Sequence, residues 1–245
     1  MHRRTITEDA FMILQLDHLV IAVDDLARAI ADYTRLGFTV VPGGEHPDGA
    51  THNALVAFAD GTYLELLAFL APNPAHRWWG RGPGLIDFAV LPDDTAAVVA
   101  EAQARGLALS GPSTGGRVRP DGVRLVWQTA LAPARGLPFL CGDVTPRSLR
   151  LPDPASWHHA NGALGITRLT VAVADLALAA AQYQALLGVA PQPDVAGVAV
   201  RLAGTEIVLT PTSAQAGPVA ACLRATAPAI LDRRLAHGAA LELVV

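Results

Sequence analysis

The chain has 245 residues, 51% of them hydrophobic and 16% charged, with a formal net charge of −4. This composition excludes a disordered chain and suits one large domain or two small ones. All 18 basic residues are Arg, which excludes Lys Schiff bases, P-loop lysines and lowered-pKa amines.

The Arg-only, Ala-rich usage reads as the bias of a GC-rich, bacterial-type genome. The Arg residues are scattered rather than gathered in a stripe, so no nucleic-acid partner is expected. Two cysteines, Cys141 and Cys222, form neither a framework nor a CxxC motif and point to reduced thiols in the cytoplasm. Near the start, Glu8 and Asp9 interrupt a basic beginning before any apolar run, so no signal peptide is expected. The longest apolar stretch, 164–190, carries Arg168, Asp175 and Gln182. It is amphipathic, and no membrane partner follows.

Taken in order, the elements repeat. Leu16 to Leu26, Leu85 to Thr95 and Ile166 to Leu176 align without gaps. Each is an apolar, β-branched run ending at an Asp able to cap a helix. Each continues into an Ala-rich helical stretch closed by Gly37, Gly106 or Gly188, the residue suited to a left-handed helix end. In the first unit, strands follow at Phe38–Val41, Asn53–Phe58 and Thr62–Phe69, the last two joined by Asp60-Gly61, a hairpin signal. The second unit has strand-like runs at Leu107–Leu109, Val123–Gln128 and Leu137–Cys141. After a Pro-, Ser-, Arg- and His-rich linker, Pro146–Gly162, the third unit adds Val198–Leu202 and Glu206–Leu209. The tail predicts a strand at Val219–Arg224, a helix up to Gly238 and a last strand at Leu241–Val245, a fourth unit cut short.

Tandem βαβββ units resemble the vicinal-oxygen-chelate superfamily, and the first two are similar to its glyoxalase-like domain family. The resemblance rests on Leu16-Asp-His-Leu-Val-Ile-Ala-Val, Gly43-Gly-Glu-His46, Gly49-Ala-Thr-His-Asn53, Tyr63-Leu-Glu-Leu-Leu67, Gly82-Pro-Gly-Leu85 and Arg117-Val-Arg-Pro-Asp-Gly122. It implies an α+β fold of tandem βαβββ modules forming cup-shaped mixed sheets. The expected domains are 15–146, with modules 15–80 and 82–146, and 163–245, with module 163–212 and a truncated module 217–245.

The resemblance also implies a site. In that superfamily the first and fourth strands of paired modules hold a metal inside the cup. Here those positions carry His18, Glu65 and, in the second module, Asp87. One imidazole and two carboxylates suit a divalent ion such as Zn, Ni, Mn or Fe. Such an ion would polarise a chelating substrate. Glu65 and His52 are the expected catalytic groups. His46 and His52 form a cluster near the cup mouth, where His52 serves as base or third ligand, or either His stands as a surface-loop residue. Asn53, Arg117, Arg119, Arg124 and Trp127 are the expected substrate contacts, because Arg forks pair with acidic groups. Trp78-Trp79 either lids the pocket or packs at an interface.

Two functions stay open. One is a metal-dependent lyase, isomerase or oxygenase acting on a small oxygenated substrate. The other is a metal-free binding or sequestering protein of the bleomycin-resistance type. A homodimer through the open edge of the truncated unit is a further expectation.

Overall fold

The computed structural model describes residues 14–47, 49–151 and 153–245. The first residues, on which the signal-peptide expectation rests, lie outside them. Among the described residues no helix is long and apolar enough to cross a membrane.

The first module supplies β1 (Gln15–Ala22), α1 (Leu26–Arg35), β2 (Val41–Glu45), β3 (Thr51–Ala57) and β4 (Tyr63–Phe69). The second repeats the order with β5 (Gly84–Leu91), α2 (Thr95–Ala104), β6 (Ser110–Val118), β7 (Arg124–Leu131) and β8 (Phe139–Asp143). After α3 (Arg147–Arg150) and a 3-10 turn (Pro154–Trp157), the third module gives β9 (Ala163–Val173), α4 (Leu176–Leu187), β10 (Gln192–Asp194), β11 (Gly197–Arg201) and β12 (Glu206–Pro211). The chain ends with β13 (Gly217–Ala225), β14 (Ala229–Ile230) and β15 (Leu241–Val244).

The aligned aspartates do what the repeat predicts. Asp25, Asp94 and Asp175 each accept a bond from the backbone N–H three residues on, capping α1, α2 and α4. Gly188 closes α4 with φ 70°, a conformation that costs glycine little.

The first two modules close into an eight-stranded barrel, in the order β1-β4-β3-β2-β6-β7-β8-β5. β1 runs parallel to β4 and antiparallel to β5, and β2 meets β6 through Glu45 opposite Val118. The remaining strands form a seven-stranded sheet, β10-β11-β12-β9-β13-β15-β14. One buried core spans both, from Leu19, Tyr33 and Phe58 to Ile166, Tyr183 and Leu223. Its two tyrosines tie the halves together: Tyr33 donates to the Ala236 carbonyl at 3.2 Å and Tyr183 to that of Gly136 at 2.7 Å. Buried phenols need such partners.

Three elements differ from expectation. The strand expected at Phe38–Val41 starts only at Val41 and runs to Glu45. The helix predicted before Gly238 is absent, and residues 233–238 turn instead. Pro228 and the Asp232 side chain, which accepts from the Arg234 N–H at 2.9 Å, leave too short a run to repay helix nucleation. The strand expected at Leu107–Leu109 is a tight bend, with the Leu109 N–H on the Leu107 carbonyl at 3.0 Å and both leucines buried.

Candidate functional site

Strand alternation sorts the barrel interior from its outer face. Thr51, Asn53 and Leu55 of β3 line a cavity of about 490 Å³, together with His18, Tyr63 and Glu65. Ala54 and Val56, from the other set of β3, join the main core outside the barrel. His52 belongs to that outward set. The expectation of His52 as a catalytic base is therefore corrected: β3 pairs with β4 without a register shift, so its neighbouring residues face opposite ways, and Asn53 faces inward.

At one end of the cavity lies a buried charge network. Asp17 and His18 are adjacent in β1, yet His18 Nδ1 donates to Asp17 Oδ2 at 2.7 Å. A register shift between Leu16 and His18 makes this contact reachable. A carboxylate only accepts, so Nδ1 carries the proton. Asp17 is fully buried, and it also faces Arg147, Arg150 at 3.5 Å and the Tyr63 hydroxyl at 3.3 Å. Burial alone would raise its pKa. The His18 bond and the two guanidiniums outweigh that and hold it well below the usual carboxylate range.

His18 turns Nε2 toward Glu65 Oε2 at 3.5 Å and stacks on Tyr63 with ring centres 4.6 Å apart. The Asn53 amide donates to Glu65 Oε1 at 2.6 Å, and His46 Nε2 lies 3.8 Å from the same oxygen. Burial raises the Glu65 carboxyl, but His18, His46 and Asn53 prevail and set it at about 2. Burial lowers His18, and Asp17 and Glu65 prevail to raise it. Each of the two side chains thus favours the charged form of the other.

Asp87 does not join them. Across the β1–β5 pair it stands opposite Val20, while His18 faces Ala89. Its carboxylate is held by Arg77 and by the Trp78 indole N–H, each at 2.7 Å. The expected set of His18, Glu65 and Asp87 is therefore not assembled. Among the described residues no group of three or more His, Cys, Asp or Glu is placed to hold a metal. The charge of the cavity agrees with this, because Arg77, Arg117, Arg124 and Arg150 line it against the single carboxylate of Glu65. As placed, His18, Glu65 and Asp87 do not form a divalent-ion site.

Of the expected substrate contacts, Asn53, Arg117, Arg124 and Trp127 line the cavity. Arg119 does not. It pairs with Asp121 at 2.6 Å, donates to the Leu149 carbonyl at 3.0 Å, and lines a neighbouring pocket of about 300 Å³. Trp78 borders the main cavity, while Trp79 is partly exposed against Phe69. Cys141 also lines the cavity, with burial pushing its thiol up to about 12, so it is no nucleophile.

Sequence reasoning missed Asp17, Arg147 and Arg150. The two arginines lie in the segment read as a linker. Their i, i+3 spacing, which puts both on one face of a helical turn, is the signal that could have found them.

A closed cup of paired βαβββ modules is the architecture of a vicinal-oxygen-chelate protein. The glyoxalase-like domain family matches residues 16–187, and the chain belongs to that family. Among solved structures, it is similar to a hypothetical protein from Staphylococcus aureus, with TM-score 0.79, 15% identity, and 95% of this chain and 99% of that one covered. It is also similar to a xylose isomerase-like TIM barrel/4-hydroxyphenylpyruvate dioxygenase fusion protein, at TM-score 0.56 and 17% identity, covering 86% of this chain and 36% of that one. A mutant 4-hydroxymandelate synthase from Streptomyces coelicolor gives TM-score 0.56 and 16% identity, covering 86% of this chain and 71% of that one. At these identities the likeness is one of fold. No curated protein matches the sequence.

Proposed function

We propose that the cup binds a small oxygenated molecule with the protein's own side chains, as a metal-free binding protein of the superfamily does. The observation that carries this reading is the state of Glu65. Its two oxygens face His18 at 3.5 Å and Asn53 at 2.6 Å, with Asp87 committed elsewhere. Trp78, Trp127 and Phe139 supply apolar walls for the body of the ligand. The test is a thermal-shift panel of small oxygenated compounds, run with and without a chelator, alongside elemental analysis of the purified protein. Stabilisation by a panel member that survives the chelator supports the reading. A stoichiometric divalent metal that is lost in His18→Ala overturns it.

A second reading is favoured by the Asp17–His18 bond. A carboxylate that orients one imidazole nitrogen leaves the other, which faces Glu65, to take up or give a proton. That arrangement would serve a lyase or isomerase working by proton transfer. Turnover that falls with His18→Gln while ligand affinity holds would distinguish it from binding alone. A cytoplasmic location and a homodimer through the exposed edge at β14, where Ile230 stands in solvent, accompany both readings as proposals.

A further inference from the structure

The charges around the cup do not cancel one for one. Arg150 faces Asp143 at 2.5 Å and Asp17 at 3.5 Å. Arg147 shares both of these carboxylates, Arg77 takes Asp87, and Arg119 takes Asp121. Glu65 is occupied by His18 and Asn53. Arg117 and Arg124 are left over, and of these Arg124 is exposed to solvent while Arg117 is buried.

Arg117 is only 3% exposed, yet among the described residues it has no carboxylate within ion-pair distance. Its Nη2 makes one long bond, 3.5 Å to the Arg150 carbonyl, and its Nη1 has no partner. A buried cation without a close counter-charge costs several kcal/mol, and the carboxylate that acts on this one, Glu65, makes no ion pair with it and is already engaged by His18 and Asn53. Among its charged neighbours Glu65 attracts it from beyond ion-pair distance, while Arg150 and Arg119 repel it. The side chain forms part of the cavity wall, which Leu55 and Trp127 also line. The missing counter-charge therefore belongs to whatever fills the cup.

The chemistry of that ligand follows from the surroundings. A planar guanidinium matches a planar carboxylate. One buried surplus positive charge matches one negative charge, so a monoanion fits better than a phosphate dianion. The aromatic walls suit a flat apolar body. Resting on the metal-free reading of the cup, we propose that Arg117 recognises the single carboxylate of a small, flat, monoanionic acid.

The test follows tryptophan fluorescence of the full chain, because Trp78 and Trp127 line the cavity. The probes are benzoate, its neutral analogue benzamide, and inorganic phosphate. Benzoate is expected to quench saturably, with benzamide and phosphate each weaker by about tenfold or more, the scale of one charge-assisted bond. Arg117→Met is expected to bring benzoate down to the level of benzamide while the melting temperature holds or rises. Arg117→Lys is expected to recover part of the affinity.

Equal binding of benzoate and benzamide, unchanged in Arg117→Met, overturns the carboxylate assignment and leaves the cup reading standing. Phosphate binding more tightly than benzoate overturns the ligand class. A melting temperature that collapses in Arg117→Met shows that the charge is balanced inside the protein, and also overturns the proposal. Binding that vanishes with a chelator sinks the metal-free reading whatever Arg117 does. No response to any probe overturns both.

Discussion

Asp17 and His18 are consecutive residues of one strand whose side chains nevertheless meet, Oδ2 to Nδ1, at 2.7 Å. Regular alternation would send them to opposite faces, and the shifted register in β1 keeps them together. The contact places a fully buried carboxylate under two arginines and a histidine.

Asp17→Asn tests what this network holds. The substitution leaves Arg147, Arg150 and His18 with one fewer negative charge in a buried setting. Breaking a buried ion network by removing one partner costs roughly 3–5 kcal/mol. The expected result is a loss of that size in urea unfolding. A loss under about 1 kcal/mol, the range of an exposed pair, would show that the arginines find other partners.

Glu65 gives an acid limb. Its pKa in the folded protein is about 2, below its ordinary value of 4.5. A depressed carboxylate contributes stability that is fully present above its unfolded pKa. That contribution fades as pH falls from about 4.5 toward about 2. Glu65→Gln is therefore expected to be less stable than the parent at neutral pH, with the gap closing across this window. Thermal melts at a series of pH values check it, and a gap that stays constant down to pH 2 would contradict the assigned ion pair.

How much of this is legible without coordinates depends on whether the cause is local. Asp25, Asp94 and Asp175 are readable as caps because capping needs only the residues that follow. The places of His18 and Glu65 follow from repeat counting and strand period, and both line the cavity. Asp87 aligns with His18 in the repeat, but strand register sets it opposite Val20 and hands it to Arg77. Repeat alignment carries no register between strands. Arg147 and Arg150 act on Asp17 from 130 and 133 residues away, a relationship that no local pattern contains. Arg119 is drawn off by Asp121 within its own hairpin, which the sequence pair alone permits but does not require.

His52 and Asn53 offer a direct check of strand alternation. Asn53 donates to Glu65 at 2.6 Å inside the cup, and His52 belongs to the outward set of β3. His52→Ala is expected to leave ligand affinity unchanged. Asn53→Ala removes a bond to a buried carboxylate and is expected to cost about 1–3 kcal/mol of stability, with affinity reduced as well. Calorimetric titration of both variants decides it, and the reverse ranking would move β3 by one residue.

Gly43 supplies the last test, because its role is steric rather than conformational. A Cβ built at Gly43 would lie 2.0 Å from Asn53 Oδ1 and 2.5 Å from Arg117 Nη1. Those are two of the buried polar atoms without partners, and they belong to side chains that line the cavity. Gly43 is not among the positive-φ glycines, so alanine there strains no backbone torsion. Gly43→Ala must instead push both polar side chains aside. Overpacking of this kind typically costs 1–3 kcal/mol, which a stable chain can absorb. The expected outcome is a folded protein, with near-native circular dichroism, whose benzoate affinity falls as far as in Arg117→Met. If Gly43→Ala keeps full affinity, the Asn53–Arg117 corner plays no part in holding the ligand.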